Sequence, residues 1–275
     1  MQLTSAHRSD IVKGYCIFFY VLMLHKIWNG FTLYQLKPAI FNTRYDVFTW
    51  IFMKTGIHQW LLNNPTGWLI FDCVFYGMPA IYWLLHQKNI KWASYSAIAM
   101  LIVNWIYIQC YTLYPANSME SFTPWLLFPF LLMTVNLKNF FWVFQGLRYF
   151  FLFFFASSGV WKIVQGSVFN IDQMSGVLLF QHKDYLVDAN NFYSRIVFWL
   201  IAHRQIAFSL FIIATVIEVS FFVGFFTKKY DRLLIAIFVL FLISDVLVMR
   251  IPYWEVTPFL ITLWYSKYKK PENSL

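Results

Sequence analysis

Long apolar runs separated by short polar stretches follow one another along the whole chain. They predict eight membrane segments, at residues 11–36, 67–86, 92–114, 122–135, 140–164, 205–226, 232–249 and 254–265. The fourth and eighth runs are short and interrupted by prolines, so six or seven full spans also fit the pattern. We therefore predict an all-α fold, a polytopic membrane helix bundle, in a single integral-membrane domain over residues 1–275.

The composition supports this class of protein. Of the residues, 60% are hydrophobic, 23% aromatic and only 12% charged, which is typical of a polytopic membrane protein and not of a soluble domain. The formal net charge of +9 would suit a nucleic-acid partner. However, the basic residues gather at the ends of the apolar runs, as the positive-inside rule requires, so we expect a lipid bilayer and no nucleic acid. Three cysteines lie in apolar segments without a CxxC pattern, which predicts buried thiols and no metal site.

The distribution of basic residues also predicts the orientation. With eight segments, one side of the membrane receives Arg8, Lys13, Lys88, Lys91, Lys138, Lys228, Lys229, Arg232, Lys267, Lys269 and Lys270. Lysines and arginines of short loops mark the cytoplasmic side. We therefore expect both termini in the cytoplasm and the loops at 37–66 and 165–204 facing outward.

The segment at 140–164 carries two full charges on an otherwise apolar helix. Arg148 and Lys162 lie fourteen residues apart, close to four helical turns, so both project from one face. A charge at membrane depth is costly and persists mainly where it faces a polar cavity or a partner. The pattern predicts that such a partner lies opposite this face.

Other ionisable residues fall within the predicted segments at depths that favour one shared site. Glu218 lies deep in the sixth segment, and Asp245 lies in the outer half of the seventh. Asp72 lies in the outer part of the second, and His25 near the middle of the first. An outward-opening polar cavity lined by these four residues and Lys162 is the simplest arrangement that pairs them.

Each candidate also has a structural interpretation. Lys162 is either a lysine that snorkels to the interface or a base in a dry pocket. Glu218 lies too deep to snorkel, so it has either a site role or a place in an ion pair. Arg148 suits a structural role in which it holds its helix to a carboxylate on a neighbouring helix or to backbone carbonyls. The small residues at 156–159 favour close helix packing, and His182 is expected in an interfacial loop.

Two stretches resemble a known family. Residues 147–180, LRYFFLFFFASSGVWKIVQGSVFNIDQMSGVLLF, resemble the core of the membrane domain of vitamin K-dependent gamma-carboxylases and of the wider bacterial horizontally transferred transmembrane (HTTM) family. Arg148 and Gly159 match the arginine and glycine of that signature, and Lys162 matches the lysine proposed there as the base. The later stretch IEVSFFVGFFTKKYDRLLIAIFVLFLISDVLVMRIPYWEVTPF resembles the family as well, with Glu218 at its acidic position. Asp245 stands near the place where the family commonly has a histidine.

This resemblance implies a binding site for a hydrophobic small molecule, a quinone- or lipid-like compound. It implies catalytic roles for Lys162 and Glu218, with quinol-linked redox or oxygenation chemistry begun by neutral Lys162. Arg148, Gly159, Asp245 and His25 are then the candidates for cofactor binding. The membrane implied is the inner, cytoplasmic membrane of a bacterium.

Whether the chain is an enzyme stays open at this point. One alternative is a non-catalytic membrane subunit or scaffold whose charged pairs hold it together or dock a membrane or extracytoplasmic protein partner. Another is a DoxX- or MauE-like partner in thiol–quinone redox chemistry, which the missing CxxC motif disfavours. A transporter is disfavoured because we find no inverted repeat of broken helices.

Overall fold

The computed structural model describes residues 1–37, 47–112, 122–183, 186–188, 190–251 and 253–271. Its α-helices are α1 (Ser5–Trp28), α2 (Leu33–Leu36), α3 (Val47–Lys54), α4 (Ile57–Asn63), α5 (Pro65–Lys88), α6 (Ile90–Thr112), α7 (Thr123–Leu132), α8 (Leu137–Val164), α9 (Gln173–Gln181), α10 (Phe192–Ala202), α11 (Arg204–Ser220), α12 (Val223–Phe226), α13 (Asp231–Met249) and α14 (Leu260–Trp264). Over these residues the regular structure is helical, apart from one isolated bridge between Gln2 and Lys269. The predicted all-α fold is confirmed.

Six helical stretches are long and apolar enough to cross a membrane. They are Ser5–Leu36, Pro65–Lys88, Ile90–Tyr111, Leu137–Val164, Arg204–Phe226 and Asp231–Met249. They correspond to six of the eight predicted segments, the first to third and the fifth to seventh. Thus the chain is an integral membrane protein, as its composition indicates.

The fourth and eighth predicted segments are helical but short. The 10 residues of α7 rise only roughly 15 Å, half the thickness of a hydrocarbon core. The eighth segment divides into a 3₁₀ helix, Trp254–Phe259, and the 5-residue α14. In the loop at 37–66, which the sequence predicts to face outward, α3 and α4 are helices that the sequence pattern did not predict. Part of that loop, at 38–46, and the predicted end of the third segment, at 113–114, lie outside the described residues.

The chain divides into two compact units. The first unit comprises Met1–Leu147 and Trp254–Leu275, and the second comprises Arg148–Tyr253. The boundary falls inside the long helix α8. The single domain expected from the sequence stays a prediction.

The core of the first unit is mainly aromatic. The ring of Tyr107 stacks on Phe75 with their centroids 3.7 Å apart, and Trp125 packs against Phe75 at 5.2 Å. Buried carboxylates and hydroxyls tie the helices around these rings. The hydroxyl of Tyr107 donates to Asp72 Oδ1 at 2.6 Å, and the carboxylate also accepts the backbone N–H groups of Leu33 and Tyr34 at the start of α2. Asp72 therefore anchors α2 from a neighbouring helix.

The two ends of the described chain meet in the first unit. The backbone N–H of Leu3 donates to the carbonyl of Lys269 at 3.0 Å, and the N–H of Lys269 donates to the carbonyl of Met1 at 3.0 Å. Both ends must therefore lie on the same side of the membrane. An even number of crossings satisfies this condition, as the six long helices do.

The second unit has two apolar clusters. Phe151 and Phe155 of α8 pack edge-to-face against Phe221 and Phe238, at 4.5–5.8 Å between centroids. A second cluster joins α9, α10 and α11 through Met174, Leu178, Val197, Leu200, Ala207 and Phe211. This second cluster borders the candidate site.

Candidate functional site: charged pairs along helix α8

Two cations of α8, Arg148 and Lys162, each meet a carboxylate inside the second unit. Arg148 pairs with Asp231, the first residue of α13, and Lys162 pairs with Glu218 of α11. The prediction that a partner lies opposite this face is confirmed for each cation. The two pairs differ in their exposure to the surroundings, which separates their roles.

The ion pair between Arg148 and Asp231 is fully buried, with side chains that are 0% and 1% exposed. Arg148 Nε donates to Asp231 Oδ2 at 2.8 Å and Arg148 Nη2 donates to Asp231 Oδ1 at 2.6 Å, so the guanidinium contacts both carboxylate oxygens. Nη2 also donates to the carbonyl of Gly224 at 2.8 Å. Nearby Lys228, in the turn before α13, has its pKa lowered by burial and by the Arg148 charge, which Asp231 opposes. These contacts give Arg148 the structural tie that its sequence context favoured.

The Lys162 pair is partly open. The ammonium nitrogen lies 2.8 Å from Glu218 Oε1 and 2.7 Å from Oε2, so one charge contacts both carboxylate oxygens. Ser158, one turn earlier on α8, donates its hydroxyl to Glu218 Oε1 at 3.2 Å. The lysine side chain is 26% exposed, whereas the glutamate is 4% exposed. The carboxylate is therefore held in place while part of the lysine side chain stays exposed.

Gly159 brings the two helices close enough to form this pair. A Cβ at this position would lie 2.8 Å from Val219 Cγ2, 3.0 Å from Glu218 Cβ and 3.1 Å from the carbonyl oxygen of Thr215. No ordinary side chain has room against a neighbouring helix backbone at that distance. The glycine therefore acts by packing, consistent with the small residues noted at 156–159.

Asp245 of α13 is the third ionisable group at this site. It interacts electrostatically with both Lys162 and Glu218, and its Oδ2 is buried without a hydrogen-bond partner among the described residues. A buried carboxyl oxygen usually finds a donor, so an unused one requires an explanation. The structure pairs Lys162 with Glu218 and places Asp245 within electrostatic range of both, and a site shared by the three stays a prediction.

His25 and Asp72 were predicted to line the same cavity. Both belong to the first unit, so the cavity that would join them to Lys162 stays a prediction. His25 is exposed, and its neighbour Lys26 is the buried residue. Lys26 pairs with Glu255 at 2.7 Å, with its ammonium 5.0 Å from the ring of Tyr111. Sequence reasoning missed this pair because His25 and Lys26 are adjacent, and the pattern does not decide which of them points inward.

His182 lies in the turn after α9, and its place at the membrane interface stays a prediction. The residue is 1% exposed, and its backbone N–H caps the end of α9 by donating to the carbonyl of Leu178. Its Nε2 lies 2.9 Å from the carbonyl of Val248, and Tyr193 donates its hydroxyl to the same carbonyl at 3.0 Å. The acceptor is a backbone group at the end of a distant helix, so no local sequence signal marks this contact.

The fold and this site define an all-α integral membrane protein with a lysine–glutamate pair between two of its long apolar helices and a third carboxyl group within electrostatic range. No protein-family model, curated protein or solved structure matches the chain.

Proposed function

We propose that this protein binds a hydrophobic, quinone- or lipid-like molecule beside Lys162, Glu218 and Asp245, as a relative of the HTTM family and of the gamma-carboxylase membrane domain. The observation that carries the proposal is the unused, buried Oδ2 of Asp245 next to a partly open Lys162. A carboxyl oxygen in this position can accept a hydrogen bond from a ligand hydroxyl or, when protonated, donate one to a carbonyl. Such polar groups among apolar walls are typical of small-molecule sites.

The pair also supports a proton-transfer role for Lys162. The short contacts to Glu218 give the ammonium proton a direct route to the carboxylate, which leaves a neutral amine beside a carboxylic acid. Away from water the charged forms lose much of their hydration, so this exchange is less unfavourable than at a protein surface. Lys162 then removes a proton from a hydroxyl group of the ligand. A bound quinol would supply the redox chemistry, and Glu218 keeps the lysine in position throughout.

The test is to identify what co-purifies with the protein. We expect mass spectrometry of material isolated in mild detergent to detect a quinone or lipid enriched above its share of the whole-membrane extract. Lys162→Met should lose this molecule because it removes the polar contact. Lys26→Met is the matched control, since it breaks the other buried lysine–glutamate pair and lies in the first unit. The control should retain the molecule.

A further variant separates binding from proton transfer. Lys162→Arg keeps the positive charge, but guanidinium does not lose its proton at working pH. We therefore expect Lys162→Arg to retain the bound molecule and to lose any conversion of it. If the parent protein carries no enriched molecule, or if Lys162→Met and Lys26→Met lose it equally, the proposal is refuted and the non-catalytic subunit becomes the better interpretation.

A further inference from the structure

The helices α9 and α10 pack against the side chain that lies beneath Lys162. Their apolar residues Met174, Leu178, Val197 and Leu200 form one buried cluster with Ala207 and Phe211 of α11. The ammonium of Lys162 lies 5.4 Å from the centroid of the Phe211 ring. The packing of α9 and α10 therefore continues directly into the candidate site.

The same two helices are also fastened to α13. His182, at the end of α9, and Tyr193, in α10, both reach the carbonyl of Val248, three residues beyond Asp245. This carbonyl belongs to the last turn of α13, where the helix itself supplies no donor. The guanidinium of Arg250 lies 4.1 Å from the centroid of the Tyr193 ring and covers it. Thus α9 and α10 contact the two helices that carry Glu218 and Asp245.

We propose that α9 and α10 form a lid over the Lys162–Glu218 site, latched to the end of α13 by His182 and Tyr193, which opens to admit and release the ligand. The role in ligand passage rests on the proposed function, whereas the opening itself does not. The loss of one neutral hydrogen bond shifts a two-state equilibrium about two- to tenfold.

Thiol labelling measures the opening directly. Ala207 is 0% exposed beneath α9 and α10, so Ala207→Cys, in a background with the three native cysteines replaced by alanine, reports on lifting of the lid. We expect a membrane-impermeant maleimide to label this cysteine slowly in the parent and about fivefold faster with Tyr193→Phe. Adding His182→Ala should increase the rate further. Because Tyr193→Phe removes only a hydroxyl group, it keeps the test informative if the double variant does not fold.

Two controls separate lid opening from general loosening. Ala97→Cys places a thiol at an equally buried alanine of α6 in the first unit, and its labelling should not change. Tyr20→Phe removes a matched bond in that unit, from a tyrosine hydroxyl to the carbonyl of Tyr76 at 2.9 Å, and should leave the labelling of Ala207→Cys unchanged. Equal labelling of Ala207→Cys with and without Tyr193→Phe overturns the lid. An equal acceleration at Ala97→Cys overturns it as well.

A ligand measurement keeps the lid and the proposed function apart. A decyl-substituted benzoquinone serves as the probe, and its release from the protein is followed after dilution. If the site binds this quinone, Tyr193→Phe should speed its release about fivefold while Tyr20→Phe does not. Equal release rates overturn the gating role. If the parent protein binds neither this quinone nor a membrane lipid, the proposed function is refuted. The thiol labelling still decides whether the lid opens.

Discussion

The sealed ion pair between Arg148 and Asp231 allows the sharpest prediction of stability. Replacing Asp231 with leucine removes both oxygens that the guanidinium contacts and leaves a cation that is 0% exposed. Of the acceptors in the described part of the chain, only the carbonyl of Gly224 would remain for Arg148. The variant Asp231→Leu should therefore be strongly destabilised.

The magnitude follows from the cost of an uncompensated buried charge. Breaking a buried pair by removing one partner typically costs about 3–5 kcal/mol, whereas replacing both partners with apolar residues is often nearly neutral. We expect Asp231→Leu to fall in that range and Asp231→Asn, which keeps one acceptor oxygen, to cost less. The double variant Arg148→Met/Asp231→Leu should recover much of the lost stability because no charge is left buried.

Unfolding of the purified protein in a fixed detergent measures these effects, and an exposed ion pair provides the control. Asp172 pairs with Arg204 at 3.0 Å, but the two side chains are 55% and 64% exposed. Asp172→Ala should therefore change the unfolding free energy by only about 0–1 kcal/mol. If Asp231→Leu unfolds like Asp172→Ala, or if the double variant is no more stable than the single one, the assignment of Arg148 as a sealed structural cation is refuted.

Three further predictions concern other parts of the chain. Gly159→Ala should destabilise the folded protein by about 1–3 kcal/mol, because the added Cβ meets Val219 and the α11 backbone. Gly77→Ala should leave the stability unchanged, since a Cβ there has no neighbour within 4 Å, and equal unfolding midpoints for the two variants would contradict the close packing at Gly159. Glu255→Ala should destabilise the first unit because it leaves the buried Lys26 ammonium without its carboxylate, and Glu255→Gln should destabilise it less. Unfolding of the purified variants in detergent measures both effects. Reporter fusions at both termini should give cytoplasmic signals, and a phosphatase active at either end would contradict the orientation.

The sequence pattern located the long helices because each is apolar over its full length, and bilayer thickness fixes that length. It also identified the charges on α8, since Arg148 and Lys162 stand out in an apolar helix. The short elements were harder to predict. The helices α3 and α4 lie in a loop that was predicted only to face outward, and they are too short to produce a strong periodic signal.

Pairing could be predicted only where few partners were available. Glu218 is the one carboxylate of its segment, so its match to a cation of α8 was a reasonable inference. The partner of Arg148 was not identified, because Asp231 lies beside the basic turn at 228–229 and resembles an ordinary helix-end residue. Contacts to backbone carbonyls, such as those of His182 and Tyr193 to Val248, depend on the tertiary fold alone.

The two ion pairs of α8 show how exposure separates a structural charge from a site. Arg148 contacts Asp231 through two nitrogens and has 0% exposure, so a ligand has no approach to the guanidinium. Lys162 is 26% exposed and has the unused oxygen of Asp245 in its surroundings. Around Arg148 both oxygens of the Asp231 carboxylate accept hydrogen bonds, and the polar atom left without a partner among the described residues, Nη1, is buried beyond the reach of a ligand. At Lys162 and Asp245 an unused carboxyl oxygen lies near a side chain that is partly exposed, and this combination favours a bound molecule.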